Sequence, residues 1–107
     1  MRIRVSGIDT AINDATRAYA EYRFFTSIAR HESRVRAVDI VVTRDSAPNR
    51  QFLCTVTVDL GPSGHVKTQA RAAHPSGAID RAADRTGWLI GHRLVSDFSL
   101  KASNFSS

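Results

Sequence analysis

The segment from Pro75 to Leu94 constrains the fold most, because its apolar residues recur at the spacing of an α-helix with one buried face. The buried stripe is predicted to contain Ile79, Ala82, Thr86 and Ile90. The opposite stripe carries two guanidinium groups, an indole and an imidazole, from Arg81, Arg85, Trp88 and His92. These groups are better suited to contact a polyanion whose bases can stack on them than to face solvent alone. This helix is therefore the first candidate binding element.

Alternating apolar residues predict four β-strands before this helix, and helical spacing predicts one further helix. The strands are predicted over residues 1–6, ended by Gly7, and over residues 35–44, 51–60 and 65–73. The first helix is predicted to begin after a capping Asn13 and to run to about His31. Since each strand has one apolar face, the order β-α-β-β-β-α predicts an α+β fold with a four-stranded sheet and two helices on one face.

Two apolar stripes compete on the first helix. One consists of Ala15, Ala18, Tyr22, Phe25 and Ala29, and the other of Ala20, Phe24 and Ile28. The sequence alone leaves open which stripe faces the sheet. If the second stripe is buried, Tyr22 and Phe25 are left for a partner surface.

The composition is that of one basic globular domain. The chain has 107 residues, a net charge of +5 at pH 7, and 42% hydrophobic residues. This length suffices for one modest core, which we assign to residues 1–94, with residues 95–107 as a flexible tail. Thirteen of the 15 basic residues are arginine, the side chain suited to bidentate phosphate contacts. The charge favours acidic partners such as nucleic acid.

Several other classes of site and location are not indicated. The chain has no 18-residue apolar run and no signal-peptide core at its N-terminus, so we expect a cytoplasmic protein without membrane contact. Cys54 is the single cysteine and lies in phase with a strand, so we predict that it is buried. The four histidines lack the spacing of a metal site and no catalytic signature stands out, so neither a cofactor nor an enzymatic activity is predicted.

Glycines mark two further features. Residues 61–64, Gly-Pro-Ser-Gly, are interpreted as a hairpin turn. The other connection between strands, residues 45–50, has no glycine and is interpreted as a polar loop. Gly87 and Gly91 interrupt the last helix, where each costs roughly 1 kcal/mol against alanine. We interpret them as positions of close packing against the first helix.

Basic side chains also occupy the face of the sheet that the helices leave open. Arg2 and Arg4 lie on the first strand, and Lys67 and Arg71 on the fourth. Each one alone is more simply explained as part of a solvated face. Their common sign favours a basic surface continuous with the last helix.

The order of elements and two short motifs together resemble a known family. The motifs are Asn13-Asp14-Ala15-Thr16-Arg17-Ala18-Tyr19 in the first helix and Ala78-Ile79-Asp80 in the last. They are similar to those of the hibernation-promoting factor and ribosome-associated inhibitor family, once called sigma-54 modulation proteins, over about residues 1–94. The resemblance implies a fold like that of a double-stranded RNA-binding domain and a short form that lacks the second domain of the long branch.

The resemblance also implies a function and part of a site. Members bind the small ribosomal subunit in the channel used by messenger and transfer RNA, and thereby silence translation in starvation or stationary phase. The family's basic positions match Arg23, Arg30, Arg85, His92 and Arg93. Trp88 stands where the family usually has a basic residue, and Ala82 and Thr86 stand where it has leucines.

We therefore predict a nonenzymatic factor that binds the ribosomal RNA of the small subunit. Its predicted contact residues are Arg23, Arg30, Lys67, Arg71, Arg81, Arg85, Trp88, His92 and Arg93. The alternative is a homodimeric interaction module of the same fold that has lost ribosome binding. Its apolar anchors would be Tyr22, Phe25 or Trp88.

Overall fold

A computed structural model describes residues 1–8, 10–44 and 51–105 of the chain, with side chains up to residue 95. These residues form β1 (Arg2–Ile8), α1 (Asp14–Ile28), β2 (Ala37–Arg44), β3 (Phe52–Asp59), β4 (His65–Ala72) and α2 (Pro75–Phe105). Short 3-10 helices lie at Ala29–Arg34 and Gly61–Ser63. The element order is the predicted one. The polar loop predicted at residues 45–50 lies outside the described residues.

The sheet has the strand order β1-β2-β3-β4. β1 runs parallel to β2, with Arg2 opposite Ala37 and Ile8 opposite Thr43, whereas β2, β3 and β4 are antiparallel neighbours. A parallel pair needs a crossover connection, and α1 supplies it. Both helices pack on the face of the sheet that carries the buried strand residues, so the predicted α+β fold is confirmed.

The core lies between this face of the sheet and the two helices. β2 and β3 contribute Val38, Ile40, Val42, Cys54, Val56 and Val58, and α1 contributes Ala20, Phe24 and Ile28. Full burial of a large aliphatic or aromatic side chain stabilises the fold by about 1.5–3 kcal/mol. The second stripe of α1 thus faces the core. Tyr22 and Phe25 are left 65% and 45% exposed.

The start of α1 follows the capping prediction, but its end does not. The Asn13 Oδ1 accepts a hydrogen bond of 2.7 Å from the backbone N–H of Thr16, and Asp14 adds a favourable negative charge in the first turn. The α-helix ends at Ile28 rather than near His31. His31 has a non-helical backbone (φ −113°, ψ 15°), and the chain there belongs to the 3-10 segment.

Other boundaries also differ from those predicted. β1 includes Gly7 and ends at Ile8, and β2 begins at Ala37, two residues later than predicted. α2 continues to Phe105 rather than ending at Leu94. Residues 95–105 contain no proline or glycine, so nothing in the backbone chemistry stops the helix there. The division into a domain and a flexible tail at residue 95 stays a prediction.

The open face of the sheet does not carry the continuous basic surface that we predicted. Arg2 and Arg4 lie on β1 and Lys67 and Arg71 on β4, at opposite edges of the sheet. Asp39 of β2 lies opposite Arg4, and its carboxylate oxygen is 4.0 Å from the Arg4 guanidinium. The prediction is wrong because β2 and β3 lie between the two basic pairs. The alternation of apolar residues within each strand does not reveal the order of the strands.

Candidate nucleic-acid interface

The two stripes of α2 separate as predicted. Ile79, Ala82, Thr86 and Ile90 are fully buried, whereas Arg81, Arg85, Trp88 and His92 are exposed. The Trp88 side chain is 64% exposed. Its ring lies beside the ring of His92, with 4.4 Å between the ring centroids and 47° between the planes. The exposed stripe thus presents an aromatic pair next to two positive charges.

Arg81 and Arg85 reach from α2 to the free edge of β4. Arg81 donates a hydrogen bond of 2.8 Å to the carbonyl oxygen of Arg71, and Arg85 donates one of 2.6 Å to the carbonyl oxygen of Gln69. An uncovered edge strand can pair with another chain, so these bonds protect the sheet as well as holding both guanidinium groups. Because a guanidinium has five N–H donors, one such bond leaves others for a phosphate.

Arg93 continues this row toward the turn before β4. Its Nε donates a hydrogen bond of 3.2 Å to the carbonyl oxygen of Ser63. Lys67 joins Trp88, His92 and Arg93 around one shallow depression of about 390 Å³ between α2 and β4. We call the whole surface the α2–β4 face and define it by Lys67, Arg71, Arg81, Arg85, Trp88, His92 and Arg93.

Arg23 lies apart from this face, in an ion-pair cluster between the two helices. Its Nε lies 2.9 Å from a carboxylate oxygen of Asp80, and its Nη2 lies 3.1 Å from one of Asp84. The Tyr19 hydroxyl donates to the same Asp80 carboxylate. Hydrogen bonds from Tyr19 and then Arg23 lower the pKa of Asp80. These contacts balance the charge of Arg23 and join α1 to α2.

Arg30 lies on a groove between the end of α1 and α2, which we call the α1–α2 groove. The groove has a volume of about 640 Å³. It is lined by Thr26, Ser27, Arg30, His31, Asp84, Gly87, Trp88, Gly91, His92 and Val95. Burial, and then the charge of Arg30, lower the pKa of His31, which favours its neutral imidazole. Trp88 lines both this groove and the depression beside β4, so it forms the ridge between them.

Arg34 and Arg36 extend the positive surface, and no motif or spacing in the sequence predicts that they belong to it. The Nη2 of Arg34 donates a hydrogen bond of 3.1 Å to the Ser63 hydroxyl, on the turn that Arg93 also contacts. Arg36 covers the same turn at Gly61, which has a φ of 61°. The predicted turn is confirmed, as a 3-10 turn. Arg34 and Arg36 lie on one short segment before β2, whereas Arg93 lies on α2, so no local spacing predicts that all three meet at this turn.

The glycines of α2 have different surroundings. A Cβ on Gly87 would lie 2.8 Å from the carbonyl oxygen of Ser27 in α1, which confirms close helix packing at this position. A Cβ on Gly91 would lie 3.6 Å from the Nε2 of His31, an ordinary contact. Packing therefore explains the first glycine but not the second.

Thr86 forms a polar pair with Thr68 in the core, which explains why a threonine is tolerated at this buried position. Its hydroxyl donates a hydrogen bond of 2.7 Å to the Ala82 carbonyl and lies 2.8 Å from the Thr68 hydroxyl of β4. Since the single hydroxyl hydrogen of Thr86 goes to Ala82, Thr68 is the donor in the second bond. Both buried hydroxyl groups are thereby satisfied.

Cys54 is buried, as predicted, and burial raises the pKa of its thiol to about 12. Over the described ranges, no three potential metal-ligating side chains lie together. In the same ranges, no helix combines the length and the apolar character needed to cross a bilayer.

Comparison with known proteins identifies the family. Residues 3–87 match the family described as sigma 54 modulation protein / S30EA ribosomal protein. The Protein Y N-terminal domain of Thermus thermophilus is similar in structure, with a TM-score of 0.70, 26% identity, and coverage of 84% of this chain and 96% of that chain. A ribosomal subunit interface protein from Coxiella burnetii shares the fold, with a TM-score of 0.75, 15% identity, and coverage of 89% and 99%. No curated protein sequence matches the chain. Because the family match spans most of the 107 residues, the chain belongs to the sigma 54 modulation protein / S30EA ribosomal protein family.

Proposed function

We propose that this protein is a nonenzymatic, cytoplasmic, ribosome-associated factor. It binds the small ribosomal subunit in the channel for messenger and transfer RNA, and inhibits translation during stress or stationary phase. The observation that carries the proposal is the α2–β4 face, a row of positive charges with an exposed indole on one helix and the neighbouring strand. Family membership supports it, and one protein of the same fold is a ribosomal subunit interface protein.

The arginines of the α2–β4 face are suited to phosphate contacts. Their planar guanidinium groups match phosphate oxygens with two parallel N–H donors. Backbone carbonyls already hold the side chains of Arg81, Arg85 and Arg93. Binding therefore costs less side-chain entropy than it would for freely rotating groups. Arg30 adds a further exposed positive charge beside Trp88.

We assign Arg23 a positioning role instead of an RNA contact. Its side chain is only 25% exposed, and two carboxylates, those of Asp80 and Asp84, balance its charge. The cluster fixes α1 against α2 and so determines where Arg30 lies relative to Trp88. This assignment revises one residue of the site that the family resemblance implies.

Co-sedimentation with purified small subunits tests the proposal. Arg81→Gln combined with Arg85→Gln removes two charges and replaces each guanidinium group with an uncharged amide. Arg2→Gln combined with Arg4→Gln removes the same charge at the opposite edge of the sheet and serves as the matched control. Wild type and control are expected to pellet with subunits at low salt, and the first variant is not. Wild-type binding should also weaken steeply with salt, because each phosphate contact contributes roughly 0.7–0.9 to the log–log slope.

Three results would contradict the proposal. Equal losses in both double variants would indicate unspecific charge attraction, and continued pelleting of the Arg81 and Arg85 variant would place the contact elsewhere. A wild type that never pellets but forms a stable dimer in analytical ultracentrifugation would favour the homodimeric module. Its anchors would then be Tyr22 and Phe25, which are exposed around a depression shared with Met1 and Ile3.

A further inference from the structure

We infer that the α1–α2 groove binds one unpaired RNA base, stacked on Trp88. The inference rests on the proposed function and deepens it, because it names the kind of RNA element that the groove takes. The α2–β4 face would hold phosphates, whereas the groove would hold a base that is flipped out of, or absent from, a duplex. Three features of the groove support this occupant.

The first feature is the exposed indole. Trp88 is 64% exposed, whereas Thr86 and Ile90 on the same helix are fully buried. The 47° tilt between its ring and that of His92 means that the two rings do not stack flat on each other. A base offers a planar π surface of the kind that stacks on an exposed indole in proteins that bind single strands.

The second feature is the open space beside the indole. Gly91 lines the groove, and its missing side chain has no packing explanation, since a Cβ there would make only an ordinary contact with His31. Glycine inside a helix is less favourable than alanine, so its presence at this position carries a cost in stability. What the glycine provides is room for a flat ligand next to Trp88.

The third feature is the distribution of charge. Asp84 lines the groove; one of its carboxylate oxygens pairs with Arg23 at 3.1 Å, and the carboxylate can still accept a hydrogen bond from the amino group of a base. The neutral imidazole of His31 offers a second hydrogen-bonding group. Arg30 and His92 are exposed around the same groove and can meet the flanking phosphates. The groove is thus better suited to a base than to its phosphate.

Trp88 is the only tryptophan in the chain, so its fluorescence reports on the groove and on the depression beside β4, and a phosphate-only ligand is needed to separate the two. The full chain is titrated at low salt with single-stranded hexaadenylate and hexacytidylate, with a blunt RNA duplex, and with inorganic polyphosphate at equal phosphate concentration. We expect strong quenching by the single strands and little by the duplex or polyphosphate. Gly91→Leu fills the groove but keeps the indole, and it should weaken single-strand binding about tenfold. Gly91→Ala is the control for folding, because its Cβ would make only an ordinary contact.

A second measurement uses the anisotropy of a labelled hexamer. Trp88→Leu should weaken binding about tenfold, which lies within the range for loss of one stacked base. Tyr22→Leu is the matched control, because Tyr22 is equally exposed, at 65%, but lies outside the groove. Its binding should equal that of the wild type.

Several outcomes would overturn the inference. They are equal quenching by polyphosphate, unchanged binding by Trp88→Leu, and a wild-type dimer that Trp88→Leu dissociates, which would assign the indole to a protein partner. The two proposals can also fail separately. If the protein pellets with subunits but single strands do not quench Trp88, only the inference of a base site fails. If single strands quench Trp88 but the protein does not pellet, only the proposed ribosomal function fails.

Discussion

Alanine substitutions at Gly87 and Gly91 of α2 should have opposite effects on stability. Each substitution gains up to about 1 kcal/mol of helix propensity. At Gly87 the added Cβ would lie 2.8 Å from the backbone oxygen of Ser27, too close for a backbone atom that cannot rotate away. Overpacking of this kind typically costs about 1–3 kcal/mol. At Gly91 the nearest atom, the Nε2 of His31, is 3.6 Å away and imposes no such cost.

The comparison isolates the packing term, because the same chemical change is made twice in one helix. The propensity gains cancel, so Gly91→Ala should exceed Gly87→Ala in free energy of unfolding by about 1–3 kcal/mol. Urea unfolding followed by circular dichroism measures the difference, provided that the two variants share one m-value. Equal stability of the two variants would show that α1 does not press against Gly87, and the shape of the α1–α2 groove would then be wrong.

Three further predictions concern the core and the helix contact. Thr86→Val should lose about 1–3 kcal/mol because it leaves the Thr68 hydroxyl unpaired in the core, while the double change of both threonines to valine should be nearly neutral in urea unfolding. Iodoacetamide should alkylate Cys54 slowly at pH 8 in the folded protein and rapidly in urea, because burial raises the thiol pKa to about 12; rapid labelling of the native state would contradict this burial. Since the folded-state pKa of Asp80 is lowered, its carboxylate stabilises the fold above about pH 4, and this contribution is lost as the pH falls through the lowered pKa. The stability gap between wild type and Tyr19→Phe should therefore be widest above pH 4 and narrow in acid, and a constant gap would argue against this hydrogen bond.

Much of the fold can be predicted from periodicity because the sheet has only one buried face. The alternation of Val38, Ile40 and Val42 shows which side of β2 is apolar, and that side is the buried one. Strand order is a different kind of information, since it depends on long-range pairing. Alternation therefore places Arg4 and Lys67 on the same face of the sheet but does not reveal that two strands separate β1 from β4.

The candidate site was predictable where it lies within one helix and not where segments meet. The spacing of Arg81, Arg85, Trp88 and His92 is sufficient to place them on one stripe. The pairing of Arg23 with Asp80, by contrast, joins residues of two helices. Nothing in the sequence indicates that Arg23 and Asp80 pair, so only the structure shows that the charge of Arg23 is balanced.

We propose above that the α2–β4 face occupies the RNA channel of the small subunit. The most direct test is release of a labelled messenger RNA fragment from small subunits as the protein is titrated at constant salt. Wild type and the Arg2→Gln, Arg4→Gln control are predicted to release the fragment, and the Arg81→Gln, Arg85→Gln variant is predicted to leave it bound. Subunits that carry protein and messenger RNA together, or equal release by the two double variants, would contradict the claim.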